Sequence, residues 1–450
     1  MSCDGEGECR FTVCDISDRT CVKETATTMA CIRDAETVLP EIEYKTVVQL
    51  NEEWNATRAS LSDDEKKKIE AMYRADALLG LRPEGYSPEE NATEFFNWLG
   101  AFYSWDSKSI TIVENDRNRN KEDNYLLLVH ELVHAYQDNS WGFYSLYEKN
   151  GYTLDRSLGL KSISEGNADF FVFLAAEDIY DITRTDHDRG RIIRDWEDET
   201  IELLRTSENP DHIANNYMPY AFGTGFINDC FVKDGWIGVD LLFENPPDSA
   251  RAIMLGYDHW IQQGPNLNKD GEIDSHAVPV LPERFELLGW GHLGVWFIMA
   301  ALQRTATPEL VWDNVMNLVE TDNFSIYWDS EADEVAVVWR IQGPGLTNRL
   351  GNELLLRPGS EWQSLSDATE KEPLRIIDSA DGEDLVLIAT SGDSALEIAT
   401  NGIGWMSLEE ASEVWDIQYK TGATSALKRT PDQALPVLFK TLHPVVSKTF

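Results

Sequence analysis

Basic residues are scarce in this chain: 38 Lys and Arg stand against 79 Asp and Glu, a formal charge of −41 over 450 residues. A surface so acidic repels phosphate backbones and anionic lipids, which argues against nucleic acid as a partner and for a strongly solvated exterior. Long apolar runs are missing too. No window approaches the roughly 18 consecutive apolar residues of a membrane-spanning helix, and the opening "MSCDGEGECR" has no charged-then-apolar leader pattern. Cysteine all but vanishes after the start. Cys3, Cys9, Cys14, Cys21 and Cys31 fall in the first 31 residues, and the sixth is Cys230. No histidine precedes His130, which disfavours a zinc knuckle in that segment and favours disulfides. Oxidised cysteines imply an extracytoplasmic or secreted protein, with the expectation of a signal peptide that this sequence does not include. The even cysteine total leaves room for a bridge from Cys230 to the N-terminal segment, although spacing alone does not choose among the pairings.

Enough apolar material is present for globular folding, with 42% hydrophobic and 10% aromatic residues in a length that accommodates two or three domains. "LSDDEKKKIEAMYRADALLGL", from Leu61 to Leu81, has helical spacing, and Ser62 with its following acids suits a helix start. "AFYSWDSKSITIVEN" alternates around a turn at Trp105 to Lys108, predicting a hairpin whose second strand is Ser109 to Val113. After a polar loop comes "LLLVHELVHAYQDN", an apolar helix with Asp123 or Asn124 as its cap. Further helices are expected near "SISEGNADFFVFLAAEDIY", over "RIIRDWEDETIELLR" and "YAFGTGFINDCFVKDGW", and over "FELLGWGHLGVWFIMAAL". "NFSIYWDSEADEVAVVWRI" and "PLRIIDSADGEDLVLIAT" read as antiparallel hairpins, each followed by helix, so the fold class is α+β with a smaller C-terminal α+β domain. The division is a Cys-rich segment over 1–38, a main domain over 39–310 and the C-terminal domain over 311–450.

His130 and His134 are four apart on a helix, so their imidazoles leave the same face and can grip one metal ion, with Glu131 beside them. The bland alternative, two satisfied core histidines, leaves a costly carboxylate among Leu128, Val129, Leu132 and Val133. Zinc catalysis usually needs a third protein ligand. "SISEGNAD" offers Glu165, 31 positions after His134, with Asp169 one turn further on the same face to accept the free N–H of a ligand histidine. A capping box of Ser162 with Glu165 is the rival explanation and needs no metal. It leaves Asp169 and the small residues Gly166 and Ala168 unexplained.

These residues resemble the zinc site of the gluzincin metallopeptidases, the thermolysin-like clan. "GAFYSWDSKSITIVEN", "HELVHAYQDN", "SEGNAD" and "YAFGTGFINDCFVKDGW", with "FENPPDSA" after it, resemble a group of bacterial, predicted secreted metallopeptidases of that clan over about residues 45–260. Tyr136 and Asn139 depart from that group's usual "HALQDQ", outside the ligand set. The resemblance implies a thermolysin-like domain, a mixed sheet with a zinc-helix subdomain above a helical lower part, and a polypeptide substrate. It also implies that the strand before the zinc helix, Ser109 to Val113, borders the cleft and pairs with substrate. One Zn2+ held by His130, His134 and Glu165 keeps an open position for water, and Glu131 serves as general base for peptide-bond hydrolysis. The oxyanion donor expected by the same resemblance is Tyr220, with Tyr217 and His212 in reserve. An endopeptidase is favoured over an aminopeptidase, because no Gly-x-Met-Glu-Asn-like anchor for a substrate amine precedes His130. The alternative is a catalytically silent surface or binding protein retaining the zinc site; retention of Glu131 speaks against it. "NLNKDGEID", Asn266 to Asp274, has part of a Ca2+-loop pattern, but Ala277 stands where the bidentate glutamate belongs, so a plain turn is preferred.

Overall fold

A computed structural model of the chain describes residues 9–114, 120–142, 146, 154–182, 185–263, 284–302, 308–351, 363–364, 374–378 and 385–392. Among them the fold is mixed α+β with two sheets. The Asn266–Asp274 loop, Ala277 and Cys3 lie outside the described residues. No described helix is long and apolar enough to cross a membrane.

The N-terminal part begins with α1 (Arg19–Arg33), β1 (Glu41–Thr46), α2 (Val47–Ala59), α3 (Asp63–Leu78) and α4 (Pro88–Trp98). Ser62 caps α3 through a reciprocal box with Glu65, and its first turn is acidic, which suits the positive end of the helix dipole. β2 (Ala101–Ser104) and β3 (Ser109–Glu114) form the expected hairpin. The sheet order is β1-β3-β2. β3 is therefore central, with β1 parallel on one side and β2 antiparallel on the other. This corrects the expectation that Ser109 to Val113 pairs with substrate: both of its edges are taken, and the edge strands are β1 and β2.

Helix α5 (Lys121–Trp141) carries the two histidines; its cap is Asn120, which accepts the Asp123 N–H, and not Asp123 or Asn124. Helix α6 spans Leu154–Ile179, eight residues earlier in its start than Ser162, and is buried along most of its length. Then follow α7 (Asp186–Thr206), α8 (Pro210–Asn216) and α9 (Met218–Glu244), which breaks at Gly235, where φ is 63°. α6 lies between α5 and α9. Gly166 and Gly223 permit its close approach to α9, for a Cβ on Gly223 would sit 2.0 Å from the Ser162 carbonyl oxygen.

After α10 (Ala250–Leu255) and α11 (Tyr257–Gln263), the stretch read as one buried helix divides into β4 (Phe285–Gly291) and α12 (Val295–Leu302). The cause is remote: the Asp322 carboxylate accepts the N–H groups of Leu293 and Gly294 and so fixes the start of α12. α13 (Pro308–Leu318) leads to a six-stranded sheet containing β5 (Thr321–Asp329), β6 (Glu334–Gln342), β7 (Gln363–Ser364), β8 (Leu374–Asp378) and β9 (Leu385–Thr390), ordered β4-β5-β6-β9-β8-β7. Both predicted hairpins are present. β4 belongs to this sheet although it precedes residue 311, and one apolar core runs from Ala71 to Ala389 across that expected boundary.

In the Cys-rich segment Cys9 pairs with Cys31 and Cys14 with Cys21. Cys230 is not joined to these four; it is buried inside α9, and burial pushes its thiol up to about 12 against a hydrogen bond with Tyr257. The stapled segment packs as a cap on the main body. Phe11, Cys21, Val22, Ala26 and Met29 share a core with α5 and α6, the Phe11 N–H donates to Asp178 at 2.8 Å, and Arg33 pairs with Asp240.

Candidate metal centre

The local sequence of α5 puts His130 and His134 one turn apart on the face turned to α6, where Glu165 meets them. His130 Nε2 and His134 Nε2 are 3.0 Å apart, and Glu165 Oε2 is 3.2 Å from the first and 3.1 Å from the second. His130, Glu165 and His134 are all buried, and His134 is the most exposed at 8%.

The hydrogen bonds behind these atoms decide what the triangle is for. His130 Nδ1 lies 2.9 Å from Asp169 Oδ1, a carboxylate oxygen that accepts the ring N–H. His134 Nδ1 lies 3.0 Å from Gln137 Oε1, and the Gln137 amide is oriented by donation from its Nε2 to the Ser164 carbonyl at 2.9 Å. Each ring thus uses its Nδ1–H outward, leaving both Nε2 lone pairs and a carboxylate oxygen facing one another. Three acceptors within 3.2 Å of one another repel unless a cation sits among them, and ligands about 2 Å from one ion have such a spacing. The residues therefore form a buried His130–His134–Glu165 group able to hold a metal ion.

Electrostatics agree. Burial works against a charged His130, but its bonds to Asp169 and Glu165 outweigh that and lift its pKa to about 10. Burial also opposes ionised Glu165, yet the neighbouring His134 and the bonds to both rings hold it far below the usual carboxylate range. Both shifts express one demand: the cluster binds a positive charge, which a proton or a metal cation can supply.

Glu131 lies wholly buried beside the group. Burial raises its pKa, the two histidine charges oppose this, and the Tyr103 main-chain N–H is bonded to its carboxylate. β2, which supplies that N–H, is thus the strand nearest the expected base. The capping-box alternative fails, since Ser162 lies inside α6 and donates to the Leu158 carbonyl at 2.6 Å.

Tyr220 stacks nearly parallel on His130, with ring centroids 6.1 Å apart. Of its reserves, Tyr217 stands at the junction of α8 and α9, and the His212 ring is 5.6 Å from it. Burial, then the charges of Lys161 and Arg82, push His212 down to about 4. Gln137 and Ser164 were not anticipated as partners of His134. Neither was Lys161, buried one turn before Glu165, whose Nζ donates to the Asn215 carbonyl at 2.7 Å. Burial lowers this lysine to about 8, against the attraction of Glu165. A polar residue three positions after His134 was the available signal for Gln137; nothing local marks Lys161.

No family model, no curated protein and no solved structure matches the chain.

Proposed function

We propose that this chain is an extracytoplasmic zinc-dependent endopeptidase of gluzincin type, with His130, His134 and Glu165 as metal ligands. The observation that carries the reading is the convergence of three acceptor atoms whose ring tautomers are fixed from behind by Asp169 and Gln137. When bound, zinc supplies an open coordination position that activates water and polarises a carbonyl. Glu131 takes the proton of the attacking water and passes it to the leaving amine. Tyr220, above the His130 ring, donates to the oxyanion as it forms. An extended substrate lies along β2, the edge strand that touches Glu131 through Tyr103. The two disulfides of the cap fit an oxidising compartment.

A zinc protein without turnover is the second reading, favoured by the burial of the whole group. One experiment separates them: metal analysis with peptide-library digestion by the wild type and Glu131→Gln. The peptidase reading expects zinc in both and cleavage in the wild type alone. Equal cleavage by both, or none by either with zinc bound, rejects it.

A further inference from the structure

Asp138 occupies a position that local physics opposes. It lies in the last turn of α5, where the helix dipole disfavours a negative charge, and its side chain is only 3% exposed, where an uncompensated carboxylate is costly. Two groups from the β2–β3 hairpin offset this. The Tyr103 hydroxyl donates to Asp138 Oδ2 at 2.8 Å, and the Lys108 ammonium bonds to the same oxygen. Lys108 itself holds φ at 53°, in the left-handed region that costs a non-glycine residue energy. A strained turn and a buried acid are therefore held against each other. Tyr103 is shared between two ends of the helix face: its phenol is on Asp138 and its main-chain N–H is on Glu131.

We propose that Asp138, Tyr103 and Lys108 form a latch that positions the general base: by fixing β2 against α5, the latch holds the Tyr103 N–H on the Glu131 carboxylate. Asp138 is a positioning residue, acting through Tyr103. This rests on the peptidase reading above. The latch predicts a loss mainly of turnover, because releasing β2 from α5 shifts the base by a fraction of an ångström while the metal group stays in place and the pairing of β2 with β3 keeps the substrate edge formed.

The test uses the full zinc-loaded chain and the variants Tyr103→Phe, Asp138→Ala and Lys108→Gln. Zinc content, kcat and KM on a peptide cleaved by the wild type, and amide hydrogen exchange at Tyr103 are measured. Tyr103→Phe removes one hydroxyl and Lys108→Gln changes a side chain 61% exposed, so both keep the proposal testable where Asp138→Ala does not fold. Expected are full zinc content, KM within about twofold, kcat lower by about tenfold or more in Tyr103→Phe and Asp138→Ala, and a smaller loss in Lys108→Gln. Exchange of the Tyr103 amide rises in the same order. Unchanged exchange overturns the latch whatever the activity. Raised exchange with unchanged kcat, or a KM effect alone, overturns its role in setting the base. A wild type that binds zinc and shows no cleavage dependent on Glu131 overturns the peptidase reading, while the exchange data still judge the latch.

Discussion

Gly166 of α6 and Gly223 of α9 meet backbone to backbone: a Cβ on Gly166 would fall 2.1 Å from the Gly223 carbonyl carbon. Because Gly166 follows Glu165, the metal ligand is held where the two helices are closest. Gly166→Ala forces them apart and is expected to cost about 3 kcal/mol of stability. Gly223→Ala acts on the same contact, so the double variant loses less than the two losses added together. Urea unfolding of the metal-free protein measures all three.

Asp169 and Gln137 hold the two histidines by different means, a charged acceptor and a neutral one. Asp169→Ala is expected to weaken zinc about 10- to 100-fold, as loss of a carboxylate behind a ligand histidine does. Gln137→Leu should weaken it less, since a bond to a neutral acceptor is worth less. Chelator competition gives both affinities; equal losses would show that the charge of Asp169 is not what matters.

Glu197, on α7, gives a pH signature remote from the metal group. Burial first, then Asp229, raises it from 4.5 to about 8. The folded state therefore prefers its protonated form: the stability it contributes is complete below pH 4.5 and is lost as pH rises through about 8. Glu197→Gln keeps the neutral shape. Its melting temperature should fall less than that of the wild type between pH 6 and pH 9, with the difference read from paired melts (pH steps of about 1 unit suffice).

The Cys9–Cys31 bridge closes a separation of 22 residues. Replacing both cysteines by alanine is expected to cost about 3 kcal/mol through the freedom returned to the unfolded chain. Zinc content should not change, because the ligands come from α5 and α6. Thermal melts and metal analysis check the two parts separately, and a loss of zinc in a folded variant would show that the cap shapes the metal group.

Much of this was legible where the deciding interactions are local. Ser62 and Glu65 cap their own helix, the alternation around Trp105 to Lys108 makes its own hairpin, and His130 with His134 states its register four residues apart. What escaped depends on partners far along the chain. Phe285 to Gly291 is as apolar as a buried helix and becomes a strand because β5 pairs with it. The start of α12 is set by Asp322, and the proton on His134 by an amide that Ser164 orients. The central place of β3 follows from a parallel partner, β1, more than sixty positions earlier, which no periodicity within either strand records.

The break at Gly235 bears on how the two ends of α9 communicate. Tyr220 stands near the first end, over His130, and Asp240 near the last, where it holds Arg33 of the disulfide cap. A continuous rod would hold both ends on one axis, but the left-handed φ of 63° at Gly235, which glycine adopts without steric cost, breaks the helix between them. The segment that anchors the cap thus takes a direction of its own, while the segment carrying Tyr220 is set by its close contact with α6 at Gly166 and Gly223.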